Sequence, residues 1–195
     1  LLGLGSESLR RLPVRDDYSL DLDALRASIA HDRQAGFQPV ALVANVGTVN
    51  TGAIDYLDPL ADLCEQENLW LHVDGAFGAL AWLCEELRPA IGALHRADSL
   101  AFDLHKWMYL PYDVGCVFVK DASAHRSTFA TTASYLAANP HTHGVPVLSF
   151  PDYGLELSRR FRALKVWLCL KEQGVRRFEE QIRQNILQAR YLAEQ

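Results

Sequence analysis

The chain lacks an excess of positive charge, a long apolar run and a paired-cysteine motif, and each absence narrows its possible class. Nineteen Lys and Arg against 24 Asp and Glu give a formal net charge of −5, so we expect no binding to nucleic acid or to an anionic membrane. The longest apolar stretches, such as 40–46, are far shorter than the roughly 18 residues of a membrane span. None of the four cysteines forms a CxxC pair, which argues against a structural zinc site. Three of the cysteines lie within apolar patterns, as buried free cysteines do, so we expect a reducing, cytoplasmic location.

The length and composition are those of a globular protein. At about 150 residues per domain, 195 residues predict one domain and a remainder. With 49% hydrophobic and 22% charged residues, the chain has the composition of a packed domain, which excludes disorder and collagen. The chain begins at Leu1 without Met and stops at Gln195 within a helical pattern, so we expect a piece of a longer protein.

Short apolar runs alternate with segments of helical spacing. Strands are predicted for four runs, 39–46, 69–74, 99–105 and 114–120. Helices are predicted for 21–35, from Asp58 through Cys64, and more weakly for 85–96. This alternation predicts an α/β fold with a mostly parallel sheet flanked by helices. The nearly continuous run 39–46 predicts a strand that is buried on both faces.

The last third of the chain breaks this pattern. Residues 127–150 contain clustered Thr, Asn, Pro, His and Gly, which predict a long loop of the kind that is functional or mobile. Two helices are predicted beyond it. Leu157, Phe161, Leu164 and Leu168 define the apolar face of the first, and Phe178, Ile182 and Ile186 define that of the second.

Polar residues directly follow three of the predicted strands. They belong to the segments 45–52, 72–78 and 103–107. Because ligands of open α/β sheets bind beyond the carboxyl ends of the strands, Thr48, Asp74 and Lys106 are expected to converge on one crevice.

An aspartate and a lysine in such a crevice suit one chemistry well. A lysine amine forms a Schiff base with an aldehyde cofactor. A carboxylate that faces a pyridine nitrogen keeps it protonated, so that the ring accepts electrons from a carbanion. Asp74 and Lys106 are 32 residues apart, which leaves room for one helix and one returning strand between them.

The same residues allow other interpretations. Asp74 could be a structural residue of the turn after its strand, and Lys106 an ordinary surface lysine. The Thr48 hydroxyl could form a hydrogen bond within its own turn. A further hypothesis is a metal-dependent hydrolase or oxygenase that uses a ligand cluster of His72, Asp74, Asp103 and His105, although this leaves Lys106 without a role. A third hypothesis is an inactive fragment or a scaffold for a partner.

The motifs HVDGAFG (72–78) and ADSLAFDLHKW (97–107) resemble those of the pyridoxal-phosphate-dependent amino-acid decarboxylases, the group II enzymes that include the aromatic-L-amino-acid and glutamate decarboxylases. VALVANVGTVNTGAID (40–55) and LSRRFRALKVW (157–167) are similar to further segments of that family. The resemblance implies an incomplete aminotransferase-type (fold type I) large domain and a homodimer with its active site near the subunit interface. Residues 1–150, with the mobile loop 127–150, would be part of the cofactor-binding domain. Residues 151–195 would lead into the C-terminal region.

The resemblance also implies the site residues. Lys106 would form the Schiff base with pyridoxal 5'-phosphate, and Asp74 would face the pyridine nitrogen. The other predicted cofactor-binding residues are Ala76 against one ring face, His105 near the phosphate, Thr48 and Asp103. In the family, the aromatic residue that stacks on the other ring face lies upstream of Leu1, so the isolated chain is expected to bind the cofactor poorly.

The implied reaction converts an L-amino acid to its amine and CO2. The family's loop commonly carries a catalytic Tyr nine positions before an Arg-Arg pair, and counting back nine from Arg159 reaches Phe150. In relatives, Phe at this position is associated with oxidative decarboxylation to an aldehyde, so that product is the alternative. Tyr135 and Tyr153 are nearby alternative proton donors.

Overall fold

The computed structural model describes residues 3–130, 141–142, 145–146 and 149–195. Its helices are α1 Leu22–Gln34, α2 Leu57–Glu67, α3 Arg88–Ile91, α4 Ala122–Phe129, α5 Arg162–Gln173 and α6 Val175–Ala193. Its strands are β1 Ala41–Asn45, β2 Trp70–Asp74, β3 Ser99–Asp103 and β4 Gly115–Val119, with a short pair of β5 His141–Thr142 and β6 Val145–Pro146. Short 3-10 helices include Gly78–Leu83 and Phe150–Tyr153.

The main sheet has the order β1-β2-β3-β4. β1, β2 and β3 run parallel, and β4 returns antiparallel to β3. The segment between β3 and β4 is too short for the crossover that a parallel return requires, which explains the change of direction. The predicted mostly parallel sheet is confirmed. Its register pairs Asn45 with Asp74 and Asp74 with Ala101, so the carboxyl ends of the three parallel strands lie side by side.

One face of this sheet is covered by α2 and the 3-10 helix Gly78–Leu83. α2 packs on β1 and β2, and the 3-10 helix Gly78–Leu83 packs on β3 and α6. The strand side chains buried beneath them are Leu42, Ala44, Leu71 and Val73, none more than 6% exposed. On the other face, Val43 is 54% exposed and Val117 is 51% exposed. The prediction that 39–46 is buried on both faces is therefore wrong, because alternate side chains of a strand point to opposite faces.

Two predicted boundaries also need correction. The helix predicted for 85–96 is divided into a 3-10 turn at Glu85–Leu87, the short α3 and a second 3-10 turn at Leu94–Arg96. The loop predicted to begin at residue 127 begins later, because α4 extends through Phe129. Asp121 caps α4 by accepting the backbone N–H groups of its first turn, which favours a helix where the composition suggested a loop.

The two C-terminal helices are present, with one face reassigned. The prediction for α6 is confirmed, since Phe178 is 5% exposed and Ile182 is fully buried. α5 begins only at Arg162, and the predicted apolar face of its segment is exposed at all four positions, Leu157, Phe161, Leu164 and Leu168. Instead, α5 packs against the core through Val166, Cys169 and Leu170. Among the described residues, no helix combines the length and apolar character that crossing a membrane would require.

A buried carboxylate ties the N-terminal segment to the sheet. Asp55 is 5% exposed, and its two oxygens accept the backbone N–H groups of Leu20 and Asn45, both at 2.6 Å. Each oxygen thus satisfies a main-chain donor that would otherwise lie unpaired in the interior. This arrangement ties the N-terminal segment at Leu20 to the carboxyl end of β1.

Candidate active site

Asp74 is the last residue of β2, and its exposed side chain organises the turn that follows. Its Oδ1 accepts the backbone N–H of Ala76 at 3.0 Å. The carbonyl of Ala76 in turn accepts the N–H of Asp103 at 3.1 Å, which joins this turn to the end of β3. An exposed carboxylate therefore lies at the carboxyl edge of the sheet, on a turn that is anchored by the next strand.

Lys106 lies in the turn after β3 and is paired with a carboxylate. Its Nζ is 2.9 Å from Oδ2 of Asp103, and its side chain is 40% exposed. Its backbone N–H donates to the carbonyl of Asp103 at 3.2 Å, so the main chain and the side chain close the same turn. His105 brings its Nε2 to within 3.8 Å of the same Asp103 oxygen. The result is a primary amine beside a carboxylate, open to solvent.

The other side of the His105 ring is occupied by the chain that leads into β4. Its Nδ1 accepts the N–H of Val114 at 3.0 Å, and its ring meets the edge of Tyr112 at a centroid distance of 4.4 Å. The start of α5 secures this segment, because the Arg162 guanidinium lies 3.0 Å from Asp113 and holds the pKa of that carboxyl below its usual value. With Nδ1 acting as an acceptor, neutral His105 carries its proton on Nε2, toward Asp103.

The turn after β1 packs against the turn after β2. A Cβ built on Gly47 would lie 2.7 Å from the Cα of Gly78, so the two backbones are in direct contact. Thr48 uses its hydroxyl within its own turn, where Oγ1 lies 2.7 Å from Thr51 Oγ1 and accepts the N–H of Ala53 at 3.1 Å. Thr48 is thus close to the predicted site, but its hydroxyl forms hydrogen bonds within its own turn, as the structural alternative for this residue predicted.

The metal-site hypothesis is wrong for the described part of the chain. No three His, Cys, Asp or Glu side chains there are arranged to hold a metal ion. The Nδ1 atom of His72 lies 2.7 Å from the Ser99 hydroxyl, within the sheet. The Nδ1 lone pair of His105 is already used by a backbone N–H. Each of the two histidines thus uses its Nδ1 atom within the fold.

The structure therefore brings the predicted cofactor residues to one edge of the sheet. Asp74, Ala76, Asp103, His105 and Lys106 are joined through the contacts above, and Thr48 lies on the adjoining turn. Their roles toward a cofactor stay predictions.

The residues considered for the loop are placed only in part. Phe150 begins the 3-10 helix Phe150–Tyr153 and is 60% exposed. The carbonyl of Tyr153 lies 3.1 Å from Nε2 of His125 on α4. Tyr135 lies outside the described residues. The contact of Tyr153 thus attaches the segment that follows the predicted loop to α4.

Prediction from the sequence missed the residues outside the site that contact the turn carrying Lys106. Trp107 stacks on Phe77, with ring centroids 4.7 Å apart. Asn185 on α6 accepts hydrogen bonds from Trp107 Nε1 and from the Tyr109 hydroxyl. The aromatic residue within each of the two motifs was a possible signal for the stack. Nothing in the local pattern around Asn185 indicates its contact with a turn so distant in the chain.

Comparison with known proteins agrees with this geometry. The pyridoxal-dependent decarboxylase conserved domain matches residues 2–195. An aromatic-L-amino-acid decarboxylase of Bacillus atrophaeus is 42% identical over 189 residues, covering 97% of this chain and 39% of that protein. A phenylacetaldehyde synthase of Petunia hybrida is 34% identical over 194 residues, covering 98% of this chain and 38% of that protein.

The fold comparison gives the same result. The crystal structure of mouse CSAD superposes with a TM-score of 0.92 at 30% identity, covering 99% of this chain and 40% of that one. The chain thus spans about two fifths of the length of its relatives. The predicted fold type I architecture is confirmed by these likenesses, as is the predicted resemblance. The chain belongs to the pyridoxal-dependent decarboxylase family.

Proposed function

We propose that this chain supplies the cofactor-bonding lysine and the ring-facing carboxylate of a pyridoxal-phosphate-dependent enzyme that decarboxylates an L-amino acid to its amine and CO2. The observation that carries the proposal is the Lys106–Asp103 pair, with an Nζ–Oδ2 distance of 2.9 Å, at the end of β3, the strand next to the one that ends in Asp74. Family membership supports it further.

The amine and carboxylate groups at the sheet edge fit pyridoxal phosphate. The cofactor's aldehyde calls for a primary amine and its pyridine nitrogen for a carboxylate, and these groups stand at the ends of adjacent parallel strands. Lys106, Asp74, Ala76, His105, Thr48 and Asp103 would hold the cofactor. When bound, the pyridine ring accepts the electron pair that the departing CO2 leaves behind.

Side chains of the protein would carry out the remaining chemical steps. The Lys106 ammonium has to lose a proton before its nitrogen acts as a nucleophile, and until then the carboxylate of Asp103, 2.9 Å away, would hold it in place at the sheet edge. Asp74 would keep a proton on the pyridine nitrogen through its negative charge. The bond from the Ala76 N–H to Asp74 Oδ1 orients that carboxylate in advance.

The substrate class and the assembly are part of the proposal. The Bacillus atrophaeus relative acts, by its name, on aromatic L-amino acids, and this supports an aromatic L-amino acid as the substrate. A cytoplasmic location rests on the pattern of the four cysteines, and a homodimer with the site near the subunit interface rests on the family resemblance alone.

Oxidative decarboxylation to an aldehyde is the second candidate. Phe150 occupies the position at which the loop Tyr is expected, and the Petunia hybrida relative is named a phenylacetaldehyde synthase. This reaction consumes one O2 and one water for each amino acid and releases the aldehyde, CO2, ammonia and hydrogen peroxide. A phenyl ring in place of a phenol removes the hydroxyl that would donate a proton to the substrate carbon.

One experiment decides between these activities. The full-length protein would be loaded with pyridoxal phosphate and incubated with a panel of L-amino acids, with products identified by mass spectrometry. An amine supports the main proposal, and an aldehyde with hydrogen peroxide supports the second candidate.

Variants connect the activity to the lysine. Lys106→Ala should abolish both the visible absorbance of the bound cofactor and the covalent attachment of the cofactor that borohydride reduction produces, and Lys106→Arg should do the same while retaining the positive charge. The exposed Lys120→Ala is the matched control and should behave as wild type. A full-length protein without this absorbance would refute the proposal and favour a scaffold, and unchanged turnover in Lys106→Ala would refute the role proposed for this lysine.

A further inference from the structure

Asn185 on α6 accepts two hydrogen bonds from the turn that carries Lys106. Its Oδ1 lies 3.0 Å from Nε1 of Trp107 and 2.6 Å from the hydroxyl oxygen of Tyr109. An indole N–H only donates, so the amide oxygen has to face Trp107. The bonds span 78 and 76 residues of sequence, and they connect the candidate site to a C-terminal helix.

Both donors are coupled to the site. Trp107 directly follows Lys106, and its ring stacks on Phe77 with an interplanar angle of 25°. Phe77 in turn follows Ala76, in the turn that Asp74 organises. The Trp107 ring therefore lies between the lysine turn and the aspartate turn, with its N–H group held by Asn185.

Tyr109 supplies an independent sign that the turn is held from outside. Its φ of +56° lies in the left-handed region, which residues other than glycine rarely adopt. Such conformations persist where the surroundings impose them and cluster at functional sites. The hydroxyl bond to Asn185 fixes the far end of this side chain.

The helix that presents Asn185 is anchored in the core. Ile182, one turn earlier on α6, is fully buried, and Phe178, one further turn back, is 5% exposed. Asn185 itself is half-buried. Its amide oxygen is thus an acceptor at a position that the core determines, while Lys106 lies on an exposed turn.

We propose that Asn185 is a positioning residue, which sets the place of the Lys106 amine by holding Trp107 and Tyr109. This inference rests on the proposed function for its importance to catalysis, although the contacts themselves do not depend on it. Without the acceptor, the Trp107 N–H would lose its partner in a half-buried place, and the turn would shift to rehydrate it.

The test uses the full-length protein with Asn185→Ala, Asn185→Asp and a matched control. Asp keeps an oxygen acceptor of the same reach, whereas Ala removes it. Gln188→Ala removes an exposed amide one turn further along α6 and should leave every readout unchanged. The readouts are the dissociation constant of pyridoxal phosphate, kcat and KM with the substrate identified from the amino-acid panel, and the thermal midpoint.

A fourth readout needs no cofactor. In cofactor-free protein, the rate at which an amine-reactive reagent labels Lys106 is compared with that of Lys120 by peptide mass spectrometry. Asn185→Ala should change the Lys106 rate by about threefold or more, weaken cofactor binding about tenfold and lower kcat about tenfold, with KM within about twofold, as expected for two lost hydrogen bonds. Asn185→Asp should recover most of each loss.

The outcomes separate the two proposals. If Asn185→Ala lowers only the thermal midpoint and leaves Lys106 labelling, cofactor affinity and kcat unchanged, the residue is merely structural and the inference is overturned. If wild type binds no cofactor while the labelling change is present, the proposed function fails and the positioning role stands. If Asn185→Ala does not fold, Tyr109→Phe removes one of the bonds without altering α6. Tyr109→Phe should then change labelling in the same direction, and unchanged labelling would refute the inference.

Discussion

Replacement of Gly78 by alanine should separate the two turns that carry Thr48 and Asp74. Gly78 is buried, and its N–H donates to the carbonyl of Val46 at 3.1 Å. A Cβ on Gly78 would lie 2.5 Å from that carbonyl oxygen and 2.8 Å from the Cα of Gly47. Both obstacles are backbone atoms, so no side-chain rotation relieves the contact.

The expected magnitude follows from these distances. Ordinary contact of a Cβ begins at 3.4 Å, so the two turns have to move apart by about 0.9 Å. Crowding of this kind costs about 1–3 kcal/mol of unfolding free energy. Displacement of a site by about 1 Å lowers catalysis by up to about 100-fold. We therefore expect kcat/KM to fall about 10- to 100-fold, with weaker binding of pyridoxal phosphate.

The assay compares kcat/KM, cofactor affinity and urea unfolding in the full-length protein, with Gly36→Ala as the control. Gly36 has a φ of +83° and no atom within 4 Å of a built Cβ, so its substitution introduces backbone strain without crowding. That variant should lose about 1 kcal/mol of stability and retain its activity. Full activity and cofactor affinity in Gly78→Ala, or an equal loss of activity in Gly36→Ala, would refute the reasoning.

Three further predictions concern stability. Asp55→Ala leaves two buried backbone N–H groups without acceptors and should lower the unfolding free energy by about 2–6 kcal/mol in urea titrations, whereas Asp55→Asn, which keeps one acceptor oxygen, should lose about half as much; equal losses would contradict this. The pKa of Asp17 is lowered from 3.8 to about 2, chiefly by the hydrogen bond from Ser19. Its stabilising effect should therefore be complete above the unfolded pKa and vanish as the pH falls through about 2, so the thermal midpoints of wild type and Asp17→Asn should converge at acid pH. Ile182→Ala, at a fully buried position, should cost about 2–5 kcal/mol, against less than about 0.5 kcal/mol for the exposed Leu187→Ala.

Local sequence patterns predicted the helices and strands better than they predicted the burial of individual side chains. The strand ending at Asp74 and the helix carrying Phe178 and Ile182 follow from apolar spacing, because period 2 and period 3.6 are properties of short segments. Exposure of Val43 does not follow, since it depends on which elements cover each face of the sheet. The α4 helix was missed because one capping residue, Asp121, outweighed a loop-like composition.

For the candidate site, the sequence by itself determined the chemical groups and their order. Asp74 ends one strand and Lys106 follows the end of the next, in motifs that resemble those of the family, and parallel strands bring their carboxyl ends to one edge. Only the tertiary structure decided which of these groups pair, because the partner of Asp103 depends on which side chains lie near it in space. Those side chains are Lys106 and His105. The Asn185 contact likewise depends on how α6 packs against the core. Hydrogen bonds between distant segments are selected by that packing, and no local periodicity encodes them.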